Sequence, residues 1–158
     1  MARPVSGQGL VYIINPALGQ PILFAVRPDG RGDVMNSHVV WSRQRAVPLT
    51  PSPLIVGEEL YLASDNGVAT CLDAKTGQEH WTMRLNGNFS ASPIYAGGWI
   101  YFLNETGETT VIKPGRKFER LAVNRLDGAT LASMAVAGRA IFVRTDSCLY
   151  RIEKRKGK

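Results

Sequence analysis

Apolar runs of four or five residues recur along the chain between clusters of Gly, Asn, Asp and Pro. The clearest are Leu10-Val11-Tyr12-Ile13-Ile14, Leu60-Tyr61-Leu62-Ala63, Trp99-Ile100-Tyr101-Phe102-Leu103 and Ala140-Ile141-Phe142-Val143. They are rich in β-branched and aromatic residues, and no 3.6-residue periodicity accompanies them. The pattern therefore predicts strands and no helices. One stretch reads as strands over 53–56, 59–64, 68–73 and 79–84, joined by Gly57-Glu58, Asp65-Asn66-Gly67 and Ala74-Lys75-Thr76-Gly77. Those are hairpin lengths and hairpin residues. The next stretch reads the same way over 93–96, 99–104, 108–113 and 117–124.

The pattern also repeats. Ser52-Pro53-Leu54-Ile55-Val56-Gly57 lies over Ser92-Pro93-Ile94-Tyr95-Ala96-Gly97 at an offset of 40, and over Ser133-Met134-Ala135-Val136-Ala137-Gly138 at a further 41. A fainter first copy reads Arg3-Pro4-Val5-Ser6-Gly7. Four strands in about 40 residues is the unit of a β-propeller blade. The second strands are apolar on both faces, as a sheet requires when neighbours cover both sides. The predicted fold is all-β: a partial β-propeller of about four blades of four antiparallel strands, over approximately 3–48, 51–90, 91–130 and 131–158. The chain stops where the fourth strand of the last blade would begin, so that blade has three.

Composition narrows the field. Hydrophobic residues make up 44% and charged residues 20% of the 158, a globular balance. No apolar run approaches the roughly 18 residues of a spanning helix. Two cysteines and two histidines give neither a disulfide framework nor a zinc cluster. The net charge is +6, but five basic residues and one acid between Arg151 and Lys158 supply +4 of it. A short basic tail reads as a solvated end, so no nucleic-acid partner is expected. No apolar signal segment opens the sequence, which as written would remain in the cytoplasm.

The segment Cys71-Leu72-Asp73-Ala74-Lys75-Thr76-Gly77-Gln78-Glu79-His80-Trp81 resembles the tryptophan-docking motif of the pyrroloquinoline-quinone-type (PQQ-like) β-propeller repeat family, roughly A-x-D-x-x-T-G-x-x-x-W. Asp73, Thr76, Gly77 and Trp81 match, and Cys71 stands where Ala is usual. The first copy keeps Ala25 and Trp41; the third has Lys113-Pro114-Gly115 and no Trp; the fourth runs from Ile152 to Lys158. The resemblance implies that Asp73, Thr76, Gly77 and Trp81 are structural blade-docking residues, with Trp81 in a blade–blade seam and held by the turn Asp73 to Gly77. It also implies rings of seven or eight blades and bacterial relatives that are usually periplasmic or exported. This chain looks like a C-terminal half.

The family includes PQQ-dependent dehydrogenases, whose chemistry needs a Ca²⁺ ligand set, an Asp base and groups gripping the quinone. No such motif is found here, so no catalytic, cofactor-binding or metal residue is assigned and no cofactor is expected. Asp29, Asp33, Asp65, Asp73, Asp127 and Asp146 read as turn residues. Cys71 and Cys148 read as two buried, unbridged thiols, and His38 and His80 lack a third ligand. Arg31-Gly32-Asp33 reads as a turn. The sequons Asn88-Phe89-Ser90 and Asn104-Glu105-Thr106 mean little in a bacterial protein. Trp41, Trp81 and Trp99 read as inter-blade packing together with the strand tyrosines. The functional expectation is a non-catalytic scaffold or protein-binding module. The alternatives are a remnant of a PQQ-dependent dehydrogenase-like enzyme and a truncated product without selected activity. An arc of four blades leaves two apolar end faces, carrying Ile13, Phe24, Ile141, Phe142 and Tyr150, which predicts a homodimer closing one eight-bladed ring.

Overall fold

The computed structural model describes residues 2–16 and 20–153. The basic residues Lys154, Arg155, Lys156 and Lys158, and the fourth copy of the motif beyond Glu153, lie outside the described residues. Fifteen strands and no helix make up the described chain. Blade one holds β1 (Val5–Gly7), β2 (Leu10–Asn15), β3 (Ile22–Val26) and β4 (Val39–Arg43). Blade two holds β5 (Leu54–Val56), β6 (Glu59–Ala63), β7 (Val68–Asp73) and β8 (Glu79–Arg84). Blade three holds β9 (Ile94–Ala96), β10 (Trp99–Leu103), β11 (Glu108–Lys113) and β12 (Glu119–Arg125). Blade four has β13 (Ala135–Ala137), β14 (Ala140–Arg144) and β15 (Leu149–Glu153). Within each sheet the strands pair in chain order and antiparallel, so the fold is an open partial β-propeller.

The repeat is kept to the residue. In each four-stranded blade the fourth strand bulges opposite the same step of the third: Ala25/Val26, Cys71/Leu72 and Val111/Ile112. The bulge leaves Val40, His80 and Leu121 unpaired and places Trp41, Trp81 and Ala122 in one register, opposite Ala25, Cys71 and Val111. A bulge re-aims the side chains beside it.

Burial follows position in the arc. β6 and β7 of blade two are buried on both faces along most of their length. β2 alternates instead, because blade one has a neighbour on one side only. Three apolar clusters fill the three seams. Tyr12, Leu23 and Leu60 lie in the first; Tyr61, Trp81, Phe89 and Ile100 in the second; Ala91, Leu103, Met134 and Val143 in the third. Serine hydroxyls also tie the copies together. The N–H of Ser52 donates to Ser92 Oγ at 2.9 Å, and that of Ser92 to Ser133 Oγ at 2.9 Å. In the first copy Arg3 N–H donates to Ser52 Oγ at 2.8 Å. The recurring Ser thus passes one hydrogen bond from each blade to the next.

Candidate functional site: the seams between blades

Each of the first two seams is built around an indole. In seam one, Trp41 Nε1–H donates to the carbonyl of Ala74 at 3.0 Å, and the Tyr12 hydroxyl donates to the same carbonyl at 2.9 Å. The two rings lie 5.9 Å apart. In seam two, Trp81 Nε1–H donates to the Gly115 carbonyl at 3.0 Å, and the Gly115 N–H donates to Tyr61 Oη at 2.7 Å. Phe118 meets the Trp81 ring edge-on at 5.1 Å. Each Trp therefore reaches the turn of the following blade. The sequence reading seats Trp81 in the turn Asp73 to Gly77. That turn instead receives Trp41, and Trp81 goes to the turn holding Gly115. Ion pairs cross the same seams: Arg43–Glu79 at 2.6 Å in the first, Arg116–Glu58 and Arg116–Glu59 at 3.2 and 3.4 Å in the second.

The receiving turn is organised by Asp73, whose Oδ1 accepts the Thr76 N–H and the Thr76 hydroxyl, both at 2.9 Å. Gly77 closes the turn at φ +73°, and a Cβ there would stand 2.6 Å from Cδ2 of Trp41. Asp73, Thr76 and Gly77 thus meet in one turn, whereas Trp81 belongs to the next seam.

The hydrogen bond from the Thr76 N–H holds the Asp73 carboxyl below the usual carboxylate range, and the bond from Arg43 does the same for Glu79. A lowered folded pKa contributes stability above the unfolded value and loses it as pH falls through the folded one. Asp73→Asn keeps an oxygen for the Thr76 N–H but cannot titrate. Its melting temperature is expected to fall less than the parent's on acidification below about pH 4, the ordinary carboxylate value. Parallel curves would remove Asp73 from the acid response.

The third seam receives no indole from a fourth strand. Ala122 stands at the register of Trp41 and Trp81, and a groove of about 640 Å³ opens between blades three and four. Its lining includes Trp99, Tyr101, Val136, Ile141 and Ile152.

The end faces differ in part from expectation. Ile13 is 39% exposed on blade one and Phe24 is half-buried. On blade four, however, Ile141 and Tyr150 pack into the third seam. The reason is strand parity: Ile141 and Phe142 are consecutive, so they point to opposite faces. The open face of blade four carries Phe142 and Leu149, the latter 73% exposed.

The remaining candidates go to local structure. Asp65 accepts the N–H groups of Leu49 and Thr50 at 2.6 and 3.1 Å. Asp33 accepts Met35 N–H at 3.0 Å, so Arg31-Gly32-Asp33 is a bend leading into the turn over 35–38. Asp29 lies 3.9 Å from Arg27 and 3.5 Å from His38. Asp127 accepts the Tyr150 hydroxyl through its carbonyl at 3.3 Å, and the Asp146 N–H donates to Ala129 O at 2.8 Å. Asn104 is buried and accepts the Thr106 and Glu108 N–H groups, so the second sequon is a turn anchor. His80 Nε2 is buried without a hydrogen-bond partner among the described residues.

Among the described residues no three His, Cys, Asp or Glu side chains gather to hold a metal ion. Among the described residues, Asp33, Asp65 and Asp73 are engaged by backbone N–H groups, and no donor set fits a Ca²⁺–quinone pair.

The two cysteines are both free but not alike. Cys71 is buried, as expected; Cys148 is exposed, contrary to expectation, because it lies in the turn before β15, where its N–H donates to Thr145 Oγ1 at 3.1 Å. Burial pushes the Cys71 thiol up to about 12. A thiolate-selective reagent such as Ellman's is expected to titrate one thiol per native chain, at Cys148, and both after denaturation. Two fast equivalents in the native protein would show that seam two opens.

The family model described as outer membrane protein assembly factor BamB matches residues 33–114. No curated protein matches the chain. Among solved structures, BamB from Moraxella catarrhalis is similar at a TM-score of 0.70 and 15% identity, over 96% of this chain and 44% of that one. A europium-containing methanol dehydrogenase gives a TM-score of 0.59 at 12% identity, over 77% of this chain and 24% of that one. A quinohemoprotein alcohol dehydrogenase from Pseudomonas putida HK5 gives 0.56 at 18% identity, over 74% and 19% respectively. The chain thus spans less than half the length of each, and at these identities the likeness is one of fold. With the family model covering more than half of its residues, and with its repeats and its all-β blades, the chain belongs to the PQQ-like β-propeller repeat family described by BamB.

Proposed function

We propose that this chain is a non-catalytic propeller scaffold whose blades serve protein contacts. The observation that carries the reading is the pair of apolar end faces, Ile13 and Phe24 on blade one, Phe142 and Leu149 on blade four. They flank an arc whose first two seams are closed by packing and ion pairs. The family's description as an assembly factor supports the same reading. Asp73, Thr76 and Gly77 act as the docking turn for blade one, and Trp81 as the docking side chain of blade two. The whole described chain then works as one domain of four blades.

The partner that fits both end faces at once is a second copy. Blade four of each chain meets blade one of the other, closing eight blades about a two-fold axis. Light scattering on a sizing column is expected to give a dimer at micromolar concentration. A stable folded monomer would sink the closure, and a trimer or filament would show a different geometry. Titration with PQQ and Ca²⁺, followed by quinone absorbance, tests the non-catalytic part, which micromolar binding would overturn.

A further inference from the structure

We propose that Arg151 of one copy and Asp29 of the other form the ion pair that orients each junction of the closed ring. The inference rests on the ring-closure reading above and adds the charged contact that sets its register. Its basis is one position that recurs in every blade. Tyr12, Tyr61, Tyr101 and Phe142 are equivalent, since each pairs with the first residue of its blade's inner strand: Val5, Leu54, Ile94 and Ala135. Opposite them on the third strand stand Ala25, Cys71, Val111 and Arg151. That position faces the following blade, because Ala25 packs in the first seam and Cys71 in the second. In blade four Tyr150 and Ile152 turn to the third seam, so Arg151 between them stands on the open face.

Seam two shows what a side chain there reaches. Cys71 Sγ–H donates to the Gly115 carbonyl at 3.7 Å, alongside the Trp81 indole. Gly115 lies three residues past Ile112, where the bulge ends. Three residues past the equivalent Val26 of blade one is Asp29, in the turn after β3. The contact of Cys71 with Gly115 therefore becomes, across the ring junction, Arg151 with Asp29 of the second copy. Phe142 lacks the hydroxyl through which Tyr12 and Tyr61 bind the receiving turns, and Arg151 brings a guanidinium to the same place. Both charges are exposed and held only by local partners. Arg151 lies 2.9 Å from Glu153, and Asp29 lies 3.9 Å from Arg27 and 3.5 Å from His38. Ion pairs cross seams one and two in the same way, Arg43 with Glu79 and Arg116 with Glu58. The apolar faces attract without direction, and opposite charges at fixed places decide which edge meets which.

The test is sedimentation analysis of two variants of the whole chain, Arg151→Glu and Asp29→Lys. Each alone sets like charges at both junctions, and is expected to raise the dimer Kd about tenfold or more. An equimolar mixture of the two is expected to restore a dimer of near-parental affinity. The mixed dimer carries the native pair at one junction and the reversed pair at the other. The doubly substituted chain, with reversed pairs at both, is expected to recover as well. Recovery also shows that both variant chains fold. A parental Kd in both single variants overturns the ion pair while ring closure stands. Recovery in the doubly substituted chain but not in the mixture places the contact within one chain and overturns it too. Loss without recovery in either combination does the same. A parent chain that stays monomeric overturns the pair and the ring together.

Discussion

Trp81→Ala is expected to lower the free energy of unfolding by about 3–5 kcal/mol, the range for truncating a buried aromatic. Trp81 is 9% exposed and closes the second seam between Tyr61 and Phe118, with ring centroids at 6.0 and 5.1 Å. Truncation opens a cavity there and takes the indole N–H from the Gly115 carbonyl, which keeps only the weak Cys71 Sγ–H contact at 3.7 Å. Losing one such hydrogen bond costs about 0.5–1.5 kcal/mol. Trp81→Phe separates the two contributions, since it retains most of the ring contact and loses the N–H. Its cost is expected to fall near that lower figure. Trp99 supplies the control, because it is 39% exposed at the groove lip and its truncation removes little packing. Trp99→Ala is expected to stay within about 1 kcal/mol, as exposed positions do. Urea melts followed by far-UV circular dichroism give all three values without relying on tryptophan fluorescence. A cost below about 1 kcal/mol for Trp81→Ala would mean that seam two is not held by this ring.

What was legible in the sequence was local. β7 and β8 occupy 68–73 and 79–84 as the pattern predicts, because alternation and turn residues act within a hairpin. The direction of docking was not legible. Whether Trp81 meets its own turn or the next depends on how consecutive sheets lean on each other, and no residue between Asp73 and Trp81 encodes that. Side-chain parity was legible in principle and misjudged at one place. Ile141 and Phe142 cannot share the open face, and the pairings Ile141 with Ile152 and Phe142 with Arg151 fix which one turns inward. The serine relay left a visible trace, a Ser at 40- and 41-residue spacing in Ser52, Ser92 and Ser133. Its role, donation from each N–H to the next hydroxyl, needs the blades side by side. The third seam is similar. The missing Trp of the third copy could be read directly, but Ala122 takes that register only through the bulge between Val111 and Ile112.

Gly77→Ala is expected to destabilise the chain by about 2–5 kcal/mol, and most of that loss should depend on Trp41. Two costs add at this position. A Cβ at φ +73° incurs the left-handed penalty of about 1–2 kcal/mol. The same Cβ would lie 2.6, 2.8 and 3.0 Å from Cδ2, Cε3 and Cγ of Trp41, and displacing a packed ring costs about 1–3 kcal/mol more. Moving the ring also stretches its 3.0 Å bond to the Ala74 carbonyl, which Tyr12 shares. In a Trp41→Ala background the obstacle is gone and only the backbone cost should remain, about 1–2 kcal/mol. A double-mutant cycle on Gly77 and Trp41 is therefore expected to give a coupling of about 1–3 kcal/mol. Additivity within about 0.5 kcal/mol would show that glycine is needed there for the backbone alone. A strong coupling would mean that the glycine of the motif serves the preceding blade's tryptophan, so that the residues Asp73 to Gly77 and the indole they receive come from neighbouring repeats.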